Sequence, residues 1–144
     1  MKNILVTVDF DIKTKNLLLQ ASQLAEKFKS KIWIMHVAAP DPDFVGYKAG
    51  PEYVEEQRAK DLRKEHKMVQ SYAQQLKKKR LNAVGLLVQG ATVETVLNES
   101  KKLKIDLIII GSHKHSFLYR AFAEVTSSSI IKKSKIPLLV VPLD

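Results

Sequence analysis

The sequence predicts an α/β protein, a five-stranded and mostly parallel doubly wound sheet with helices on both faces. Five short runs rich in Val, Ile and Leu recur along the chain, and helical repeats separate them. The runs are nearly continuous in apolar residues instead of alternating, as strands buried on both faces of a parallel sheet are. Strand–helix alternation with right-handed crossovers folds into such a sheet.

The elements follow in order. "NILVTVD" (3–9) opens the sheet. Leu17, Leu18, Ala21, Leu24, Ala25 and Phe28 then fall at helical spacing and predict a first helix with these residues facing the core. Asp9 and Asp11 both precede it, and Asp11 lies closer to its start, which suits it to capping. "KIWIMHV" (31–37) is the second strand. The stretch "AAPDPDFVGYKAGPEY" (38–53) is long and irregular, and either covers a ligand or simply connects.

A second helix is carried by Leu62, Val69, Tyr72, Ala73 and Leu76, and closes on "KKKR" (77–80), where cations suit the negative dipole end. "NAVGLLVQG" (82–90) is the third strand, and Val93, Val96, Leu97 and Leu103 mark the third helix. "IDLIIIG" (105–111) is the fourth strand. A fourth helix starts near 121–126 and ends at the lysines before Pro137, and "IPLLVVP" (136–142) completes the sheet. With no internal repeat or linker, residues 1–144 read as one domain.

The chain has 144 residues, 45% of them hydrophobic and 27% charged, as in an ordinary soluble globular protein. The absence of cysteine excludes disulfides, thiol nucleophiles and thiolate metal sites. No signal-like or membrane-length apolar run is present, so a cytoplasmic location and no membrane partner are expected. The formal charge of +9 favours polyanionic partners. Its lysines, however, fall in amphipathic helices, mixed with glutamates and without interleaved aromatics. They read as solvated helix faces, which argues against nucleic acid as the partner.

In doubly wound sheets a ligand sits outside the carboxyl ends of the strands. Asp9, Val37, Ala38, Gln89, Gly90 and the residues from Gly111 onward lie there. A carboxylate at Asp9 can accept hydrogen bonds from a base amino group or a ribose hydroxyl. A strand ending at Gly111, followed by a loop and a helix, is a common way to hold a phosphate. His113 and His115 lack the companions that a zinc site needs. His66 belongs on the surface, and His36 either lines a pocket or packs. "TSSS" (126–129) offers hydroxyls that bond a phosphate or cap a helix. No nucleophile, base and orienter come together, so the chain reads as non-catalytic.

"ILVTVD" at the start, "VQG" after the third strand and "DLIIIGSHKHS…IIKKSKIPLLVVP" at the end resemble the universal stress protein family over nearly the whole chain. The resemblance implies a five-stranded α/β fold, a homodimer formed through the last strand, and a stress-response module with an unidentified protein partner. One branch of that family binds ATP or AMP and another does not. In the binding branch the last loop reads Gly, two residues, Gly, nine residues, then Gly followed by Ser or Thr. Laid on this chain, "GSH" is kept as Gly111, Ser112 and His113. The second glycine falls on Lys114, the third on Glu124, and the hydroxyl residue on Val125.

Asp9 matches the family's adenosine-contacting aspartate, Val37 and Val88 its base-flanking positions, and Gly90 a pocket glycine. The resemblance therefore implies a degenerate pocket, with the adenosine half kept and the phosphate-binding glycines lost. It leaves no cofactor certain and ATP or AMP as weak ligands. Glu124 beside a phosphate would cost roughly 3 kcal/mol at about 5 Å, about two orders of magnitude in affinity. The alternatives are an ATP- or AMP-binding member of the family with a replacement phosphate site, with or without slow ATP hydrolysis, and a charge-driven nucleic-acid binder. "IPLLVVPLD" independently suggests a self-pairing sheet edge.

Overall fold

A computed structural model describes residues 1–39, 51–112 and 125–143. Strand and helix alternate through them as β1 (Asn3–Thr7), α1 (Thr14–Phe28), β2 (Lys31–Ala38), α2 (Pro51–Lys78), β3 (Asn82–Gln89), α3 (Thr92–Lys102), β4 (Leu107–Ser112), α4 (Val125–Lys133) and β5 (Leu138–Pro142). All strand pairs are parallel, in the order β3-β2-β1-β4-β5. The chain winds outward from β1 to β3, then returns to the other side of β1. The strand order therefore reverses between β1 and β4, where a doubly wound sheet leaves a crevice. The fold class is the one the sequence predicts.

Side chains of each strand divide between two cores. Ile4, Val6, Ile32, Ile34 and Ile109 pack against α1 and α2 on one face. Leu5, Met35, Ile108, Ile110 and Ile130 pack between the sheet and α3 and α4 on the other. Ile4, Leu5 and Val6 are each 0% exposed, which explains why β1 shows no alternation. Helix α2 lies hard against β3. A Cβ on Gly85 would stand 2.7 Å from Val69 Cγ1 and 2.9 Å from the Val69 carbonyl oxygen. Gln70 Nε2 seals the contact by donating to the Gly85 carbonyl at 3.1 Å.

Several boundaries differ from expectation. Asp9 lies beyond β1, which ends at Thr7, and β4 begins at Leu107 instead of 105. Residues 51–53, expected to be irregular, form the first turn of α2, with Pro51 in the position where a missing N–H is harmless. Residues 40–50 of that stretch lie outside the described residues. Phe28 has helical spacing but is 54% exposed, because it ends α1 beyond the layer that the sheet covers. Asp11 is not the cap of α1. Lys13 occupies that position without a side-chain cap, and Asp11 Oδ1 instead accepts from Lys13 N–H at 2.9 Å in a turn that feeds the helix. Among the described residues no helix is long and apolar enough to cross a membrane.

Candidate functional site

The carboxyl ends of the strands bring the sequence-predicted residues to one edge. Val37 pairs in register with Val88, and Ala38 with Gln89. Val37 and Val88 are half-buried and pack with Val93 over the core beneath α3. They form an apolar shelf two strands wide, open toward the edge. Asp9 follows β1 between that shelf and β4, whose last residues are Gly111 and Ser112. Asp9, Gly111 and Ser112 thus flank the point of strand reversal, with the shelf on the β2–β3 side. His113 and the motif positions Lys114 and Glu124 lie outside the described residues. Helix α4 begins at Val125.

Asp9 is exposed, and its Oδ1 accepts a long hydrogen bond from Asp11 N–H at 3.4 Å. Between them Phe10 has φ +66°, a left-handed conformation uncommon for a bulky residue. Its ring is wedged between His36, at 4.2 Å between centroids, and Tyr72, at 6.2 Å. The strained turn is therefore held by packing, and it sets where Asp9 leaves β1.

The two glycines have local causes. Gly90 has φ +153°, and a Cβ there would collide with Thr95 Oγ1 in the first turn of α3. Its N–H donates to the Ala38 carbonyl at 3.1 Å, so the turn joins β2 to the start of α3. Gly111 has its α-hydrogens toward the other core. A Cβ there would stand 2.5 Å from Leu143 Cδ1 and 3.4 Å from Leu17 Cδ1. Packing therefore also favours glycine at 111, because Leu143 would have to shift to admit a Cβ.

A second polar group sits behind the edge, on the α1–α2 side. His36 follows Ile32 and Ile34 on that face, and its Nδ1 lies 2.7 Å from the Val8 carbonyl oxygen. A carbonyl only accepts, so Nδ1 carries the proton. Nε2 faces Glu65 Oε2 at 3.9 Å. Burial pushes the Tyr72 phenol above its ordinary value, as do the nearby carboxylates of Asp9 and Asp11 to a smaller extent. The buried Thr14 hydroxyl beside it tempers that rise without closing a hydrogen bond of ordinary geometry. His36 is thus a packing residue. Glu65 was not foreseen, although its spacing from Val69, Tyr72 and Ala73 places it on the inward stripe of α2.

Helix α2 runs about 20 Å past the level of Glu65 toward its start, at 1.5 Å per residue, and so overhangs this edge. A groove of about 430 Å³ on its outer side, lined by Lys60, Arg63, Lys64, Lys67, Met68 and Ser71, belongs to that one helix and is remote from the shelf. Among the described residues no three His, Asp or Glu side chains converge on a metal position.

The universal stress protein family model matches residues 1–142. Universal stress protein C of Escherichia coli strain K12 is 31% identical over 144 residues, covering 98% of this chain and 95% of that protein. The solved universal stress protein UspA of Lactobacillus plantarum superposes with a TM-score of 0.80 at 18% identity, over 97% of each chain. The universal stress protein of Archaeoglobus fulgidus in complex with dAMP superposes with a TM-score of 0.65 at 13% identity, over 98% of each chain.

Proposed function

The chain belongs to the universal stress protein family, and on that premise we propose that it is a non-catalytic, homodimeric binding module of the stress response. It holds an adenine nucleotide weakly, through the adenosine half of the pocket. The observation that carries this is the Val37–Val88 shelf beside Asp9 at the point of strand reversal. A purine needs an apolar surface for its ring and a few placed polar groups for orientation, and this edge offers both. The dAMP complex of the Archaeoglobus fulgidus relative supports the same ligand class.

The phosphate half is weaker by composition. Lys114, Glu124 and Val125 stand where glycines and a hydroxyl would let backbone amides reach the phosphates. Phosphoryl transfer requires phosphates held in line, usually with a metal, and that requirement argues against catalysis. The dimer is supported by β5, an edge strand on which Val140 is 39% exposed. Pro142 lacks an N–H and limits the ladder at its end.

Calorimetric titration with AMP tests the pocket. The parent protein saturates, and Asp9→Ala removes the heat. An absence of AMP binding by the parent overturns the assignment. Steady phosphate release from ATP that Asp9→Ala abolishes would instead make the protein an enzyme.

A further inference from the structure

The opposite edge of the sheet, where helices end and strands begin, gathers the positive charge of the chain. Each helix reaches its next strand through a string of cations: "KFKSK" (27–31), "KKKR" (77–80), "KKLK" (101–104) and "KKSK" (132–135). These hold three, four, three and three cations, and Lys2 lies beside them at the start of β1. All are exposed except Lys31, whose ammonium lies 4.0 Å over the Trp33 ring.

Backbone contacts tie the strings into one rim. Lys31 N–H donates to the Lys2 carbonyl at 2.8 Å, Asp106 N–H to the Asn3 carbonyl at 2.8 Å, and Ser30 Oγ to the Met1 carbonyl at 2.9 Å. In register, Lys31 lies between Asn3 and Asn82, Ile4 beside Leu107, and Ile108 beside Leu138. The five strands therefore start within two residues of one another, and the rim is level to about 7 Å.

Helix dipoles explain only part of this charge. Four helix C-termini present about −2 charges in all. The acids on this edge are Glu26, Glu99 and Asp106; Lys102 holds Glu99 at 3.1 Å, and the amides of Lys2 and Asn3 hold Asp106. Fourteen side-chain cations stand against them, leaving a surplus of roughly nine after the dipoles are neutralised. The remaining ten Lys and Arg face twelve Asp and Glu, so the rest of the chain is slightly acidic.

The backbone adds a second observation. Lys29, Arg80 and Lys104 have φ of 54°, 65° and 54° at or just past the ends of α1, α2 and α3. Glycine is the usual residue there, and a side chain costs about 1–2 kcal/mol in that conformation. The chain keeps a cation at all three positions.

We propose that this edge docks the protein peripherally on the surface of an anionic lipid bilayer. Thirteen of the fourteen cations are lysines, point charges without the planar fork that reads phosphate and base edges in nucleic acids. A level rim matches a flat charged surface, where each lysine within a Debye length contributes about 1 kcal/mol. Phe28, 54% exposed between Lys27 and Lys29, supplies an apolar side chain for the interface. In the sequence these lysines read as solvated helix faces, because only the parallel fold brings the four strings together.

Sedimentation of the full chain with phosphatidylcholine vesicles, with and without phosphatidylserine, tests the proposal. The protein partitions onto the phosphatidylserine vesicles at low salt, leaves them at high salt and ignores phosphatidylcholine alone. K77E/K78E/K79E weakens partitioning by at least about tenfold, and Phe28→Ser weakens it several-fold while preserving the salt dependence. K60E/K64E/K67E makes the same change of charge about 15 Å or more up α2, beyond the Debye length of about 10 Å at 0.1 M salt, and in that salt leaves partitioning nearly unchanged. Should the first variant lose its fold by circular dichroism, K132E/K133E replaces it. Three results overturn the proposal: no binding to anionic vesicles, equal losses in both α2 variants, or displacement of the protein from vesicles by an oligonucleotide of equal total charge.

Discussion

The two edges of the sheet share the same strands, yet they present opposite kinds of surface. At the carboxyl edge, polar groups come singly from strand ends: Asp9 after β1, Gln89 in β3 and Ser112 in β4, near the shelf of Val37 and Val88, with His36 packed behind it on the other face. At the amino edge the groups are nearly all of one sign, come from helix ends instead of strands, and include one exposed aromatic, Phe28. A small ligand is recognised by a few groups held in place, whereas an extended anionic surface is attracted by many charges that need no fixed geometry. Parallel topology alone separates the two, because it sends every helix C-terminus to one side.

That separation can be broken from the middle. Ile109 is 0% exposed in the central strand pair β1–β4. Ile109→Ala should cost about 2–5 kcal/mol, lowering the urea midpoint and weakening nucleotide binding and vesicle partitioning in parallel. Loss at one edge alone would mean that the two do not share one cooperative fold.

The next effect belongs to the carboxyl edge only. Lys114→Gly with Glu124→Gly and Val125→Ser should tighten ATP binding by up to about a hundredfold, the size of the repulsion removed, with vesicle partitioning unchanged. An unchanged ATP affinity would show that space and charge at these positions are not what limits it.

How much of each edge could be read from sequence follows from these same residues. Asp9, Val37, Val88 and Gly90 lie at the ends of apolar runs, and strand ends at one edge of a parallel sheet are neighbours by necessity. The strand order and the pairing of Val37 with Val88 depended on tertiary structure. Phe28 shows where periodicity misleads: it keeps the helical spacing, but its helix outruns the sheet. Gly111 shows where motif logic has a rival, since the Leu143 side chain crowds the place of a Cβ there whether or not a phosphate does. The lysine strings were visible one by one, and their convergence was not.

A double-mutant cycle sharpens the Gly111 question. Gly111→Ala should destabilise the parent by about 1–3 kcal/mol through overpacking and cost clearly less in a Leu143→Ala background, measured by urea unfolding. Equal costs in both backgrounds would mean that the Leu143 contact is not what excludes the methyl group.

The smallest effect lies at the amino edge. The Asn3 and Lys2 amides hold the Asp106 carboxyl below its ordinary value. A carboxyl lowered in the folded state stabilises above its unfolded value, and that contribution fades as pH falls through the lowered one. The stability advantage of the parent over Asp106→Asn should therefore be full at neutral pH and vanish in acid. A difference that stays constant across this range would contradict the assignment.

The most direct measurement of the central claim is calorimetric titration of the unmodified protein with AMP and with ATP, each with and without magnesium. Retention of the adenosine half alone predicts that AMP binds at least as well as ATP, that both bind more weakly than micromolar, and that magnesium changes little. Micromolar ATP binding, about −8 kcal/mol, that exceeds the affinity for AMP would contradict the claim, because the chain would then hold a working phosphate site of its own.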